Sequence, residues 1–170
     1  LSDIGTIFRV WEQQGTGYVS LPRKMRNTDS PKGSKNHAGK WEERSFKWPD
    51  GLQDIKDYIK ESNSKGYDLY WCPTILTKGQ RVKENIPTIS VLYADLDEIN
   101  PNNIPNQYRP SVAWESSPNR FAAVWFLEEA IPSNIGEEIN KGLTYFVNAD
   151  KGGWDLTQVL RIPGTRNFKY

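Results

Sequence analysis

Residues that cross-link or bind soft metals are almost missing from this chain. Of its 170 residues one is cysteine, one is histidine and one is methionine. A single cysteine excludes an internal disulfide and any multi-cysteine zinc site. Cys72 lies in the apolar stretch Tyr70-Trp71-Cys72, where a buried, inert thiol is expected rather than a nucleophile. No long apolar run occurs, so no membrane span is predicted. The opening Leu1-Ser2-Asp3-Ile4 has no signal-peptide pattern. These absences lead us to expect an intracellular, cytoplasmic protein. Neither charge dominates, since 22 basic and 21 acidic residues give a net charge of +1. Such a balance does not announce nucleic-acid binding, although it can conceal a local basic patch.

Aromatic residues are plentiful. Seven Trp and eight Tyr supply core material for one domain over residues 1–170. Ser2 is a candidate N-cap for a helix with Ile4, Ile7, Phe8 and Trp11 on one face, closed by Gly15. Tyr18 to Leu21 reads as a short strand. Residues 23–40 mix Arg23, Lys24, Arg26, Lys32, Lys35 and Lys40 with Ser, Gly and Asn, and contain the only histidine, His37. This composition predicts a mobile basic loop, either solvated or touching a phosphate backbone. Trp41 to Trp48 suits a strand or an irregular cover. Leu52, Ile55, Tyr58 and Ile59 predict a second helix between Pro49 and Gly66, followed by a strand over 67–72. Strands are expected at 111–115 and 121–127, joined by a tight turn. A third helix is expected from about Ser133 to Asn148, with Ile135, Ile139, Leu143 and Phe146 on its apolar face. Interspersed strands and helices place the chain in the α+β or α/β class with a mixed sheet.

The most informative stretch is Tyr93-Ala94-Asp95-Leu96-Asp97, at the end of the apolar run Ile89-Ser90-Val91-Leu92. Residues i and i+2 of a strand share a face. The two carboxylates would therefore lie roughly 5–7 Å apart, and at ~5 Å they repel by about 3 kcal/mol at an effective dielectric of 20. A hard divalent cation such as Mg²⁺ or Mn²⁺ relieves that repulsion and keeps positions open for phosphate oxygens. A solvated strand end also accommodates Asp-x-Asp. Asp155, after Gly152 and Gly153, is the best third carboxylate, or else a helix N-cap for Leu156 to Leu160. The segment Ser116-Ser117-Pro118-Asn119-Arg120 offers two hydroxyls and a guanidinium for phosphate oxygens, or an ordinary turn. Arg161, Arg166 and Lys169 gather three cations around a Pro-Gly turn, suited to a triphosphate or a template phosphate, or to a solvated strand end.

Taken in order, these motifs resemble the archaeo-eukaryotic primase superfamily, and most closely the RepB-type primases and primase-polymerases of plasmids and phages. The likeness rests on Asp95-x-Asp97, on Ser116-Ser117-Pro118-Asn119-Arg120-Phe121, and on Trp154-Asp155 leading to Arg161-Ile162-Pro163-Gly164-Thr165-Arg166-Asn167-Phe168-Lys169. Arg81-x-Lys83-x-Asn85 ahead of the Asp strand adds to it. The resemblance spans roughly residues 67–170. It implies an RRM-like mixed sheet as catalytic core over 67–170, beside an N-terminal α/β portion over 1–66, in a domain excised from a longer replication protein. It implies DNA-templated nucleotidyl transfer from NTP or dNTP on single-stranded DNA through two Mg²⁺ or Mn²⁺ ions. Asp95, Asp97 and Asp155 would hold the metals. Ser116, Ser117, Arg120, Arg161, Asn167 and Lys169 would bind nucleotide, and Arg81, Lys83 and Arg166 are possible DNA contacts. A downstream helical accessory segment and a helicase are implied as parts of the same polypeptide. One departure is Ala122, which stands where the superfamily's second motif often has a histidine. That substitution keeps open an alternative, a nucleic-acid or nucleotide-binding module that retains the fold. A rolling-circle initiator nuclease would need paired histidines, which this chain lacks.

Overall fold

The computed structural model describes residues 3–27, 29–32, 34 and 39–169. Ser2, Lys35 and His37 lie outside these residues. The chain opens with α1 (Gly5–Glu12). Next come β1 (Gly17–Ser20), β2 (Arg23–Met25), β3 (Lys40–Glu42) and β4 (Ser45–Trp48), then α2 (Leu52–Ser64) and β5 (Tyr67–Trp71). The second half holds β6 (Thr88–Asp97), β7 (Val112–Ser117), β8 (Arg120–Pro132), α3 (Ser133–Phe146) and β9 (Leu160–Arg161). Strands β1 and β4 pair as a ribbon, β3-β2-β5-β9 form a four-stranded sheet, and β6-β8-β7 form a three-stranded sheet. Every described ladder is antiparallel. The class is α+β, as expected, and the four-stranded sheet draws strands from both sides of residue 66.

A run of aromatic rings joins the parts. Trp11 of α1 packs on Trp48 at 5.3 Å and on Trp71 of β5 at 5.7 Å, and Trp71 reaches Trp114 of β7 at 5.7 Å. All four are buried, and tilted ring pairs of this kind add about 0.5–1.5 kcal/mol each beyond area burial. The Trp11 indole N–H donates to the Cys72 carbonyl at 3.0 Å. Cys72 itself is fully buried, and burial pushes its thiol pKa up, so the expected inert thiol is found.

Helix α3 is present but turned. Ile135, Ile139 and Phe146 are exposed, while Gly136, Asn140 and Thr144 are buried. Strand β6 is an edge of its sheet, and its outward backbone groups need partners. Asn140 meets that need, accepting from the Tyr93 N–H at 2.9 Å and donating to the Trp154 carbonyl at 3.0 Å. Gly136 lets the helix approach Ile89, whose side chain would lie 2.3 Å from a Cβ at that position. Hydrogen-bonding demand at the strand edge overrides the apolar stripe.

Both ends of the basic segment over 23–40 are strands where its composition predicts loop. Arg23, Lys24 and Met25 form β2, and Lys40 opens β3. Arg26 donates through Nε to the Asp68 Oδ2 at 2.5 Å. Asp68, on β5, is fully buried and also accepts from Arg161 Nη1 at 2.9 Å and from the Phe168 N–H at 2.8 Å. This cluster ties β2, β5, β9 and the tail together. Burial raises the Asp68 pKa, but the Phe168 N–H and the two guanidinium groups outweigh that, and the carboxyl titrates below its usual range.

Removing one partner of a buried ion cluster strands the others, so Asp68→Asn is expected to destabilise the fold by about 3 kcal/mol at neutral pH. A depressed native pKa contributes stability that is complete above the unfolded value of about 4 and is lost as pH falls through the native value. The urea midpoints of wild type and variant should therefore converge in acid. An equal gap at pH 7 and at the acid end would contradict this account.

Candidate active site

Strand β6 delivers the two aspartates to the mouth of a cleft of about 170 Å³. Its walls include Asp95, Asp97, Ser116, Ser117, Arg120, Arg161, Asn167 and Lys169, all anticipated from sequence, together with Tyr70 and Ala122. The ladder between β6 and β8 is irregular between Asp95 and Asp97. Asp97 sits in the left-handed region at φ 52°, which aspartate tolerates better than most residues. Strand alternation alone would place both carboxylates on one face. Here a break at the strand end aims Asp97, whose N–H donates to Asp95 Oδ1 at 3.3 Å. Asp95 is half-buried and Asp97 exposed.

The hairpin of β7 and β8 forms a second wall. Pro118 precedes Asn119 at φ 60°, the combination that a type II turn uses. The Asn119 N–H donates to Glu115 Oε1 at 2.7 Å, and the Ser116 hydroxyl donates to the Arg120 carbonyl at 3.3 Å. Arg120 Nη1 forms an ion pair with the Asp97 carboxylate. Ala122 faces Asp95 in register across the ladder and is buried.

The third wall comes from the C-terminal motif. Strand β9 pairs with β5, with Arg161 opposite Tyr70. Arg161 divides its guanidinium between Asp68 and the Tyr70 hydroxyl, at 2.9 and 3.1 Å. The Phe168 N–H on Asp68 anchors the tail, and the Lys169 N–H donates to Asn167 Oδ1 at 2.9 Å. Cations and carboxylates thus line the same cleft. Burial raises the Asp95 pKa, the negative charge of Asp150 adds to the rise, and Arg120 and Arg161 oppose it.

Several anticipated residues lie elsewhere. Asp155 is not among the cleft-lining residues. Its Oδ1 accepts from the Thr157 N–H at 2.9 Å and from the Thr157 hydroxyl at 2.8 Å. It caps a turn, and no helix follows over 156–160. Arg81 pairs with Glu43 Oε1 at 2.5 Å and donates to the Thr157 carbonyl at 2.5 Å. Lys83 pairs with Glu137 at 3.0 Å. Arg166 is exposed, with its guanidinium 5.2 Å from the Phe168 ring centre. Sequence reasoning missed Tyr70 and Asp150. Asp150 donates its N–H to the Asp95 carbonyl at 2.9 Å, and only the Gly152-Gly153 turn beside it hinted at this closeness.

The donor chemistry of Asp95 and Asp97 fits a hard divalent cation, because Mg²⁺ is commonly held by one or two carboxylates with substrate phosphates completing its shell. Among the described residues no group of three or more carboxylate, histidine or cysteine side chains is placed to enclose a metal. The pair at the cleft mouth is what the fold assembles.

The architecture is that of primase catalytic domains. The crystal structure of primase RepB' superposes with a TM-score of 0.71 at 19% identity, covering 98% of this chain and 51% of that one. The catalytic domain of primase RepB' in complex with initiator DNA gives the same score and identity, covering 98% of this chain and 78% of that one. The AEP domain of the cyanophage S-2L primase-polymerase gives 0.59 at 10% identity, covering 85% and 72%. Residues 73–170, more than half of the sequence, match the RepB DNA-primase N-terminal domain family, and the chain belongs to it. It spans about half the length of the chain in that RepB' primase crystal structure. None of the curated proteins matches it.

If Asp155 is a turn cap, Asp155→Asn, whose amide oxygen can accept the same two hydrogen bonds, should leave Mn²⁺ binding in place with little change in stability. Asp95→Asn or Asp97→Asn should abolish that binding. Electron paramagnetic resonance of free Mn²⁺ in a titration reads all three variants, and loss of binding in Asp155→Asn would return Asp155 to the metal site.

Proposed function

We propose that this domain performs DNA-templated nucleotidyl transfer, joining NTP or dNTP units on a single-stranded DNA template with release of pyrophosphate. The observation that carries this reading is the cleft in which Asp95 and Asp97 face Arg120, Arg161 and Lys169. Membership of the primase family supports it. Asp95 and Asp97 would hold Mg²⁺ or Mn²⁺, which when bound offsets the negative charge that gathers on the reacting phosphates. Arg161 and Lys169 present charge to the triphosphate from the opposite wall. Arg161 is held in place by Asp68 and Tyr70, so its fork is already oriented before substrate arrives. Arg120 pairs with Asp97 and would turn to phosphate when a cation takes its place. The Ser117 hydroxyl and the Asn167 amide add neutral donors along the same wall. No side chain has to act as a strong base, since the chemistry is positioning and charge compensation.

A second reading is a binding module that keeps the fold without the chemistry. Ala122 beside Asp95 and the Arg120 contact on Asp97 favour it. Incorporation on a single-stranded DNA template, primed and unprimed, separates the two. We expect product that requires Mg²⁺ or Mn²⁺, disappears with EDTA, and falls at least about 100-fold in Asp95→Ala/Asp97→Ala. A folded protein that binds DNA but makes no product under either metal would overturn the polymerase reading in favour of the binding module.

A further inference from the structure

We propose that Trp41, Lys24 and Tyr70, on one face of strands β3, β2 and β5, form a stacking track for the single-stranded template, with Trp41 as its outer base platform and Lys24 and Tyr70 leading into the cleft. The inference rests on the polymerase reading above and adds where the template runs.

Strand alternation builds this face. On β5, Leu69 and Trp71 point into the core, while Asp68 and Tyr70 point the other way. Lys24 is in register with Asp68 on one side and with Trp41 on the other. Tyr70 is in register with Arg161. One face therefore presents Trp41, Lys24, Tyr70 and Arg161 in succession. The Arg23–Glu42 ion pair lies on the opposite face. Three strands at about 4.8 Å spacing carry the track roughly 10 Å from the sheet edge to the cleft, and Tyr70 is one of the cleft's own lining residues.

The side chains on this face suit bases and phosphates. Trp41 is 43% exposed, and the other six tryptophans are buried or half-buried. Its ring lies 4.8 Å from that of Tyr70 although their strands are not neighbours. Lys24 Nζ lies beside both, 4.9 Å from the Trp41 ring centre and 5.8 Å from that of Tyr70. Lys24 forms no ion pair among the described residues. Burial lowers its pKa first, and the positive charges of Arg26, Arg161 and Lys169 lower it further, against Asp68. A cation among cations, without its own carboxylate, is charge-complementary to a phosphodiester backbone. An exposed indole beside it offers a face on which any base can stack, which a template reader requires because the template sequence is arbitrary. An incoming nucleotide is less suited to this edge, since its triphosphate belongs with the aspartates inside the cleft. The plainer account is that Trp41 and Tyr70 merely protect a sheet edge, and it predicts a stability change without a change in DNA affinity.

Anisotropy of a fluorescein-labelled oligo(dT) titrated with wild type, Trp41→Ala, Trp41→Phe and Lys24→Met tests the track, with thermal melting as a control for folding. Trp41→Ala is expected to bind about 5- to 150-fold more weakly, and Trp41→Phe to keep most of the affinity. Lys24→Met should make the dependence of log affinity on log salt shallower by about 0.7. Tryptophan fluorescence should be quenched by the DNA in wild type and little changed in Trp41→Phe. If wild type incorporates nucleotides while Trp41→Ala binds DNA as tightly as wild type, the track is wrong and the polymerase reading stands. If DNA binding falls in Trp41→Ala but wild type makes no product, the track stands and the polymerase reading fails. Wild type that binds no single-stranded DNA overturns the track outright.

Discussion

The buried carboxylate of Asp68 is the contact on which the arrangement of the cleft depends. A fully enclosed carboxylate is costly unless its oxygens are satisfied by charge and hydrogen bonds. Asp68 recruits Arg26 from just after β2, Arg161 from β9 and the Phe168 N–H from the tail. Arg161 is 93 residues away in the chain and Phe168 is 100. This anchor adds to the two-residue ladder of β9, the Ile162 N–H on the Leu69 carbonyl and the Arg166 N–H on Asn63 in holding the segment that carries Arg161, Asn167 and Lys169. Asp68 touches no substrate in this account. It decides where the cationic wall stands relative to Asp95 and Asp97.

The aspartate-bearing strand has a similar dependence. β6 is an edge strand, and a bare edge is open to water and to strange strands. Asn140 from α3 and the Asp150 N–H close it by hydrogen bonds to the Tyr93 N–H and the Asp95 carbonyl. These contacts fix the strand on one side while β8 fixes it on the other. The irregular end is then free to turn Asp97 outward. A site that gathers two like charges needs a rigid frame, because each ångström of closer approach raises their repulsion.

Much of this was legible from local pattern. The strand before the Asp pair, the turn at Pro118-Asn119, the helix over 52–64 and the buried Cys72 follow from periodicity, turn chemistry and composition, all of which act over a few residues. Eight of the anticipated site residues line one cleft, because motif order along the chain reflects the order in which strands bring them there. Other readings failed for physical reasons. The stripe of Ile135, Ile139 and Phe146 predicts a buried face, yet α3 buries Gly136, Asn140 and Thr144, since the strand edge needed a hydrogen-bonding partner more than apolar cover. Arg23, Lys24 and Arg26 read as a loose basic loop because nothing within their own stretch reveals Asp68 or Trp41 as partners. The ion pairs of Arg81 with Glu43 and of Lys83 with Glu137 join residues 38 and 54 positions apart, beyond the reach of local pattern.

The sequence by itself determined the α+β class, the primase family and the identity of the paired aspartates, because those rest on residue type and spacing within short segments. Tertiary structure alone decided that Asp155 turns to Thr157 while Asp150 lies beside Asp95. It alone decided that Trp41 and Tyr70 meet over Lys24. Spacing along a chain names which groups exist, but the direction of a side chain is settled by whichever distant partner satisfies its charge or hydrogen bond.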